Sequence, residues 1–442
     1  MENTVVVSCK RKNGDTDDMT REELIQRVKQ LEAHVKQLQN VIAKEPSAVI
    51  KPQRKFDFKR FKRRHVALKF LYLGWLYDGY VVQEDTANTV EAIMFEALLR
   101  TKLVECRETS NYHRCGRTDK GVSAFSQTIS IDLRTNLTEG LGVVTPEDYN
   151  PDAKSESRTK EIEYVKILNG VLPSEIRVLA WAPVDPGFSS RFDCKQRTYR
   201  YFFPQGNLDI ETMRQGAALL VGEHDFRNLC KMDVGNGVTN FVREILSTRL
   251  YKPGSQRNSS ESDTGYTVWC LEIVGLAFLW HQIRCIVAVL FLIGRRLEEP
   301  RIISDLFDVA KNPRKPQYSM ASEIPLVLYD CQFEGIDWQY NVEELTMVTK
   351  QLQRIWTQTQ VKSEVLYSML SDIAAMPCMS ESRITSQADT LQPGSIPRVY
   401  KPLMERPLCE SLEERIEHFA KRRKPGNTDE ALKTPQNEEV TN

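Results

Sequence analysis

The stretch His113-Arg114-Cys115-Gly116-Arg117-Thr118-Asp119-Lys120-Gly121-Val122-Ser123-Ala124-Phe125 sets a carboxylate, Asp119, among Arg114, Arg117 and Lys120 and brackets it with glycines. An alternating run comes next, with Thr128, Ile129, Ser130, Ile131, Asp132 and Leu133. Glycine lets a backbone turn tightly or approach a ligand closely. Alternation of this kind reads as a half-buried strand. The expected element is an acidic side chain offered from a tight turn beside a sheet, inside a positive field. Such a place draws an anion-rich substrate, and neighbouring cations keep the carboxyl ionised by lowering its pKa. A nucleophile or base acting on a polyanion fits this pattern. So does a plain surface turn whose Asp pairs with Arg.

Composition narrows the classes. The 442 residues provide for two or three domain-sized units, and 41% hydrophobic content suits a soluble globular core. No apolar run reaches the ~18 residues that span a bilayer, so no membrane partner is expected. The run Val5-Val6-Val7 gives way at once to Lys10, Arg11 and Lys12, which is not a signal-peptide pattern. Ten cysteines are scattered with no pair at Cys-x-x-Cys spacing, so neither a metal site nor a disulfide framework is expected. The expected setting is reducing, nucleus and/or cytoplasm. Net charge is zero, so only the distribution of charge informs.

Residues 1–62 read as an N-terminal extension. Thr20-Arg21-Glu22-Glu23 is a capping box that opens a helix over 20–44. Leu24, Val28, Leu31, Val35, Leu38 and Ile42 then recur at alternating steps of four and three. That seam suits a parallel two-stranded coiled coil, or a helix packed on its own core. Residues 51–64 are sharply basic, with Phe56, Phe58 and Phe61 interleaved, which suits phosphate contact and base stacking or a solvated linker. From His65 onward strands alternate with helices. A first half spans 63–190 and a second spans 191–335, giving an α+β class with a mixed or antiparallel sheet. A C-terminal extension, 336–442, is helical near 341–370 and irregular afterwards. The polar segment 252–264 reads as an insertion.

Arg114-Cys115-Gly116-Arg117-Thr118-Asp119-Lys120-Gly121-Val122-Ser123-Ala124-Phe125 resembles the signature of the TruA-like tRNA pseudouridine synthases in its eukaryotic form. Bacterial members usually carry Ala and His where this chain has Lys120 and Ser123. Further blocks match in the same order: Tyr72-Leu73-Gly74-Trp75-Leu76-Tyr77-Asp78-Gly79 with Gln83, then Phe188-Ser189-Ser190-Arg191 leading into Arg197-Thr198-Tyr199-Arg200-Tyr201. Gly222-Glu223-His224-Asp225-Phe226, Phe278-Leu279-Trp280-His281-Gln282-Ile283-Arg284 and Ile324-Pro325-Leu326-Val327-Leu328 complete the set.

The resemblance implies two ferredoxin-like halves sharing one large sheet, with a catalytic cleft between them. It implies an isomerase that turns uridine into pseudouridine in tRNA, with no cofactor and no metal. It implies a homodimer acting on the anticodon stem-loop, in the branch that modifies positions 38 and 39. Asp119 falls on the catalytic aspartate. Tyr199, Arg284 and Leu326 fall on substrate-binding positions, with Arg284 expected to pair with Asp119 and fix its orientation. Arg117 is a candidate for phosphate contact, alongside Arg114, Lys120 and Arg191. A zinc nucleobase deaminase is excluded, because the chain has no His-x-Glu and Pro377-Cys378 lacks a second cysteine. A non-catalytic tRNA-binding protein on the same scaffold would lack one of Asp119, Tyr199 and Arg284, and all are present.

Overall fold

The computed structural model describes residues 56–150, 160–254, 265–377, 387–392 and 399–423. The predicted helix over 20–44 and the basic residues before Phe56 lie outside the described residues, as does most of the 252–264 insertion. Among the described residues, the strands and helices belong to the unit from Phe58 onward.

The first strand, β1 (Arg63–Tyr72), is buried along almost its whole length. A strand covered on both faces reads as an apolar run rather than an alternation, which is how Val66 to Leu73 reads in the sequence. Helix α1 (Val90–Arg100) starts at Thr89, whose side chain accepts from the Ala92 N–H at 3.3 Å, and buries Val90, Met94, Ala97 and Leu98. Strands β2 (His113–Arg114) and β3 (Ser123–Arg134) flank the Asp119 turn. Then come β4 (Val143–Val144), α2 (Tyr164–Asn169) and β5 (Ile176–Pro183).

The second stretch runs β6 (Gln196–Pro204), α3 (Ile210–Ala218), β7 (Gly222–Asp225), β8 (Val242–Tyr251) and β9 (Val268–Gly275). It continues through α4 (Gln282–Gly294), α5 (Ile302–Phe307), β10 (Leu326–Gln332) and β11 (Gln339–Tyr340). All thirteen residues of α4 are buried, as expected of a helix apolar on every side. Only Arg284 breaks that character with a charge. The last described helices are α6 (Val342–Ala374) and α7 (Leu412–Arg423). Helix α6 has an Asn341 cap bonded to Glu344 N–H and no Gly or Pro before Pro377, so nothing stops it earlier. Val348 is its sole buried residue.

One sheet joins these strands in the order β11-β5-β1-β3-β10-β6-β9-β8-β7, with β2 added to β3 and β4 to β1. The pairing of β3 with β10 is parallel, through Val327↔Ser123 and Leu328↔Ala124, while the other pairings are antiparallel. The class is α+β with a mixed sheet. Strand β8 escaped the sequence reading because it lies near the sheet edge, where Arg243, Glu244 and Arg249 leave little apolar alternation.

Close backbone approach fixes the turn that carries Asp119. A Cβ on Gly74 would sit 1.9 Å from the Val122 carbonyl oxygen, so only glycine fits. The Gly74 N–H donates to Ser123 Oγ at 2.9 Å, and Gly121, at φ +78°, donates to the Tyr77 carbonyl at 3.1 Å. Two blocks of the motif set, Tyr72 to Gly79 and Arg114 to Phe125, thus make a single packed unit.

Candidate active site

The Asp119 turn is held from below by side chains. Gln127 on β3 accepts from the Gly116 N–H at 3.3 Å and donates to the Gly116 carbonyl at 3.0 Å. Thr118 Oγ1 meets the Tyr72 hydroxyl at 2.7 Å, and the Thr118 carbonyl accepts from the Tyr80 N–H at 3.1 Å. These bonds leave Asp119 projecting into a cleft of about 1490 Å³, where Arg117, Tyr199, Arg284 and Leu326 also lie. All five candidate residues line that one cleft, along with nine cationic side chains against five carboxylates. Any molecule entering it meets a positive field.

Asp119 is held by partners that sequence reasoning missed. The Trp280 Nε1–H donates to Asp119 Oδ1 at 3.1 Å, and His281 Nε2 lies 3.3 Å from Asp119 Oδ2. Burial, followed by the charges of Arg284, Lys231 and Lys315, pushes the His281 imidazole down to about 4. His281 is therefore neutral at pH 7, and its contact with Asp119 is not an ion pair. It has φ +59°, a left-handed conformation that L residues seldom adopt, at the entry to α4. That strain turns the ring toward the carboxylate. A signal was available in principle: Trp280-His281 immediately precedes the α4 arginine block, but nothing in spacing marks it as a contact of Asp119.

Two sequence expectations need correction. The cations were expected to hold Asp119 below the ordinary carboxylate value, yet its pKa is raised. Burial is the largest cause, and the opposing pull of Arg284 and the Trp280 N–H does not offset it. The second concerns Arg284, which does not clamp Asp119. Its Nε donates to the Ala321 carbonyl at 2.7 Å and a terminal nitrogen to Glu323 Oε2 at 2.8 Å. The residues leading into β10 bring Glu323 beside α4, so the guanidinium takes the nearer carboxylate. Arg284 acts on Asp119 only through its field.

Tyr199 on β6 is almost fully buried, packs edge-on against Phe278 at 5.0 Å and makes no side-chain hydrogen bond among the described residues. Burial raises its pKa, so its phenol is neutral and free to donate or to stack. Leu326 is buried on the cleft wall opposite Tyr201 in register. The basic residues divide. Arg114 pairs with the buried Glu91 at 2.6 Å and Lys120 with Asp78 at 2.8 Å, so both are engaged within the fold. Arg117 is exposed and, among the described residues, forms no ion pair; burial and the charges of Arg114 and Arg191 push its pKa down. Arg191 lies over Phe192, an aromatic 74% exposed on the cleft that sequence reasoning also missed.

Residues 217–334 match the family model for tRNA pseudouridine synthase. The chain is 49% identical over 433 residues to the "tRNA pseudouridine(38/39) synthase" of Bos taurus, covering 92% of this chain and 89% of that protein. The chain belongs to the TruA-like tRNA pseudouridine synthases. Its likeness to the Homo sapiens protein of the same description is also 49% with the same coverage. With the Saccharomyces cerevisiae protein it is 41% over 348 residues, 74% of each chain. The family converts uridine to pseudouridine in tRNA, an isomerisation, and the positive cleft suits that polyanionic substrate. No helix among the described residues of this synthase is long and apolar enough to cross a membrane.

Proposed function

We propose that this synthase isomerises uridine at positions 38 and 39 in the anticodon stem-loop of tRNA, with Asp119 as the group that acts on the ribose. The observation that carries this reading is the convergence of Asp119, Tyr199 and Leu326 on one cation-rich cleft. The position is taken from the names of the similar mammalian and yeast proteins. Breaking the N-glycosidic bond builds positive charge on the sugar, which a carboxylate stabilises or captures, as in glycoside hydrolysis. The freed uracil turns and bonds through C5; the C5 proton leaves and N1 ends protonated, so the net change is an isomerisation. Tyr199 and Phe278 offer an apolar ledge for the base, and Leu326 its floor. A uridine reaches this depth only when extruded from its stack, at a cost of a few kcal/mol, and phosphate contacts offset that cost. Base-resolution mapping of pseudouridine in unmodified tRNA incubated with the protein tests the assignment. Signal at 38 or 39 is expected; signal confined to other positions overturns the position.

Arg117 is the cation best suited to a backbone phosphate. Arg117→Ala should weaken tRNA binding about equally for all substrates and lower the slope of log affinity against log salt by about one, read by filter binding across a salt series. The exposed Phe192 is suited to stack on a base neighbouring the target.

The fold supports two ferredoxin-like halves. Each runs β-α-β-β-α-β with the fourth strand beside the first: β5-β1-β3-β2 in one half and β10-β6-β9-β8 in the other. A homodimer is supported by α6, where Val361, Val365 and Met369 form an exposed apolar stripe flanking a groove of about 400 Å³. Sedimentation analysis should give twice the chain mass, and Val365→Glu should shift it toward a single chain.

A further inference from the structure

Cys115, Cys194 and Cys331 are far apart in the sequence, yet their sulfurs lie within 4.8 Å of one another. Cys115 follows β2, Cys194 precedes β6 and Cys331 lies on β10. None of the three is in a disulfide; Cys115 and Cys331 are buried, and Cys194 is partly exposed. Cys115 and Cys194 line the cleft, so an ion could enter from solvent. The Cys-x-x-Cys rule detects only ligands that are neighbours in the chain, which is why the sequence suggested no metal.

We propose that these three cysteines hold a zinc ion that ties the catalytic turn to the sheet. Tetrahedral zinc holds thiolate sulfur at ~2.3 Å and so spaces sulfurs ~3.8 Å apart, a small adjustment from the arrangement here. Three thiolates around a dication leave one net negative charge. The guanidinium of Arg197 lies alongside: it donates to the Cys115 carbonyl at 3.0 Å and the Leu276 carbonyl at 2.6 Å. The complex would therefore sit in the interior near neutrality, which removes the main objection to a buried ionic site. A water from the cleft would complete the coordination. The ligands also join the right parts: Cys115 precedes Asp119 by four residues, Cys194 leads into the strand of Tyr199, and Cys331 lies on the strand of Leu326.

The alternative use of three thiols is simple packing, since free cysteine behaves as a small hydrophobe. The full-length protein, purified without chelator, distinguishes the two by elemental analysis and by cobalt(II) substitution. About one zinc per chain is expected, with a thiolate-to-cobalt charge-transfer band in the near ultraviolet. Both should fall at least tenfold in Cys194→Ser and in Cys331→Ser, with circular dichroism and tRNA binding used to establish that each variant is folded. Chelation of the wild type should lower its Tm. Protein that holds no stoichiometric zinc and gives no cobalt band overturns the proposal. So does zinc retained at full stoichiometry by folded Cys194→Ser, which would locate the metal elsewhere.

Discussion

Asp119→Ala should abolish pseudouridine formation, lowering the single-turnover rate by at least about 10⁴-fold, while tRNA affinity changes little. The reason is the division of labour in the cleft. Binding draws on the field of nine cations and on the apolar ledge, and none of these depends on the carboxylate. Bond breaking at the ribose depends on it directly. The turn itself should survive, because Gln127 and the Tyr80 N–H hold its backbone, Tyr72 and Gly74 hold the Thr118 and Ser123 hydroxyls, and none of them bonds the Asp119 side chain. Loss of binding in parallel with loss of product would mean that Asp119 is structural. Single-turnover product measurement alongside filter binding separates the two.

Arg284→Met should lower the single-turnover rate by about 10²-fold and move the acid limb of the pH profile upward. Asp119 is already held above the ordinary carboxylate value by burial, and Arg284 is the largest of the influences that pull it back. Removing that charge leaves Glu323 unpaired nearby, and both changes raise Asp119 further. The active, ionised carboxylate appears as pH rises through the folded pKa, so a higher pKa shifts the onset of activity to higher pH. Stability runs the other way. A carboxyl raised by folding favours the folded state below its ordinary value, and that contribution is lost as pH rises through the folded pKa. Glu323 keeps 32% of its side chain exposed, so the substitution does not strand a fully buried charge. Rates measured from pH 4 to 8 on wild type and variant check the shift; an unmoved acid limb would mean that Arg284 does not act on Asp119.

The sequence disclosed most where local chemistry dictates geometry. Two glycines around Asp119 foretold a tight turn, and alternation after it foretold β3. Most of its failures share one physical cause: contacts between residues distant in the chain leave no periodic mark. Glu323 takes Arg284 from Asp119 because two elements pack side by side. Trp280 and His281 reach Asp119 through a left-handed backbone step that no propensity foretells. Arg114 and Lys120 looked like phosphate ligands in the motif, and the fold supplies each with a carboxylate, Glu91 and Asp78. Cys115, Cys194 and Cys331 meet only once β6 and β10 pair. Desolvation was the remaining blind spot: the cations beside Asp119 are legible in the chain, whereas the burial that outweighs them is not.

The destination of the target uridine can be tested by placing 4-thiouridine at position 39 of an anticodon stem-loop, irradiating the complex and mapping the cross-linked peptide. The account predicts attachment within the cleft, at Tyr199, Phe278 or Leu326, and competition by unmodified stem-loop. Attachment confined to surfaces outside the cleft would contradict it.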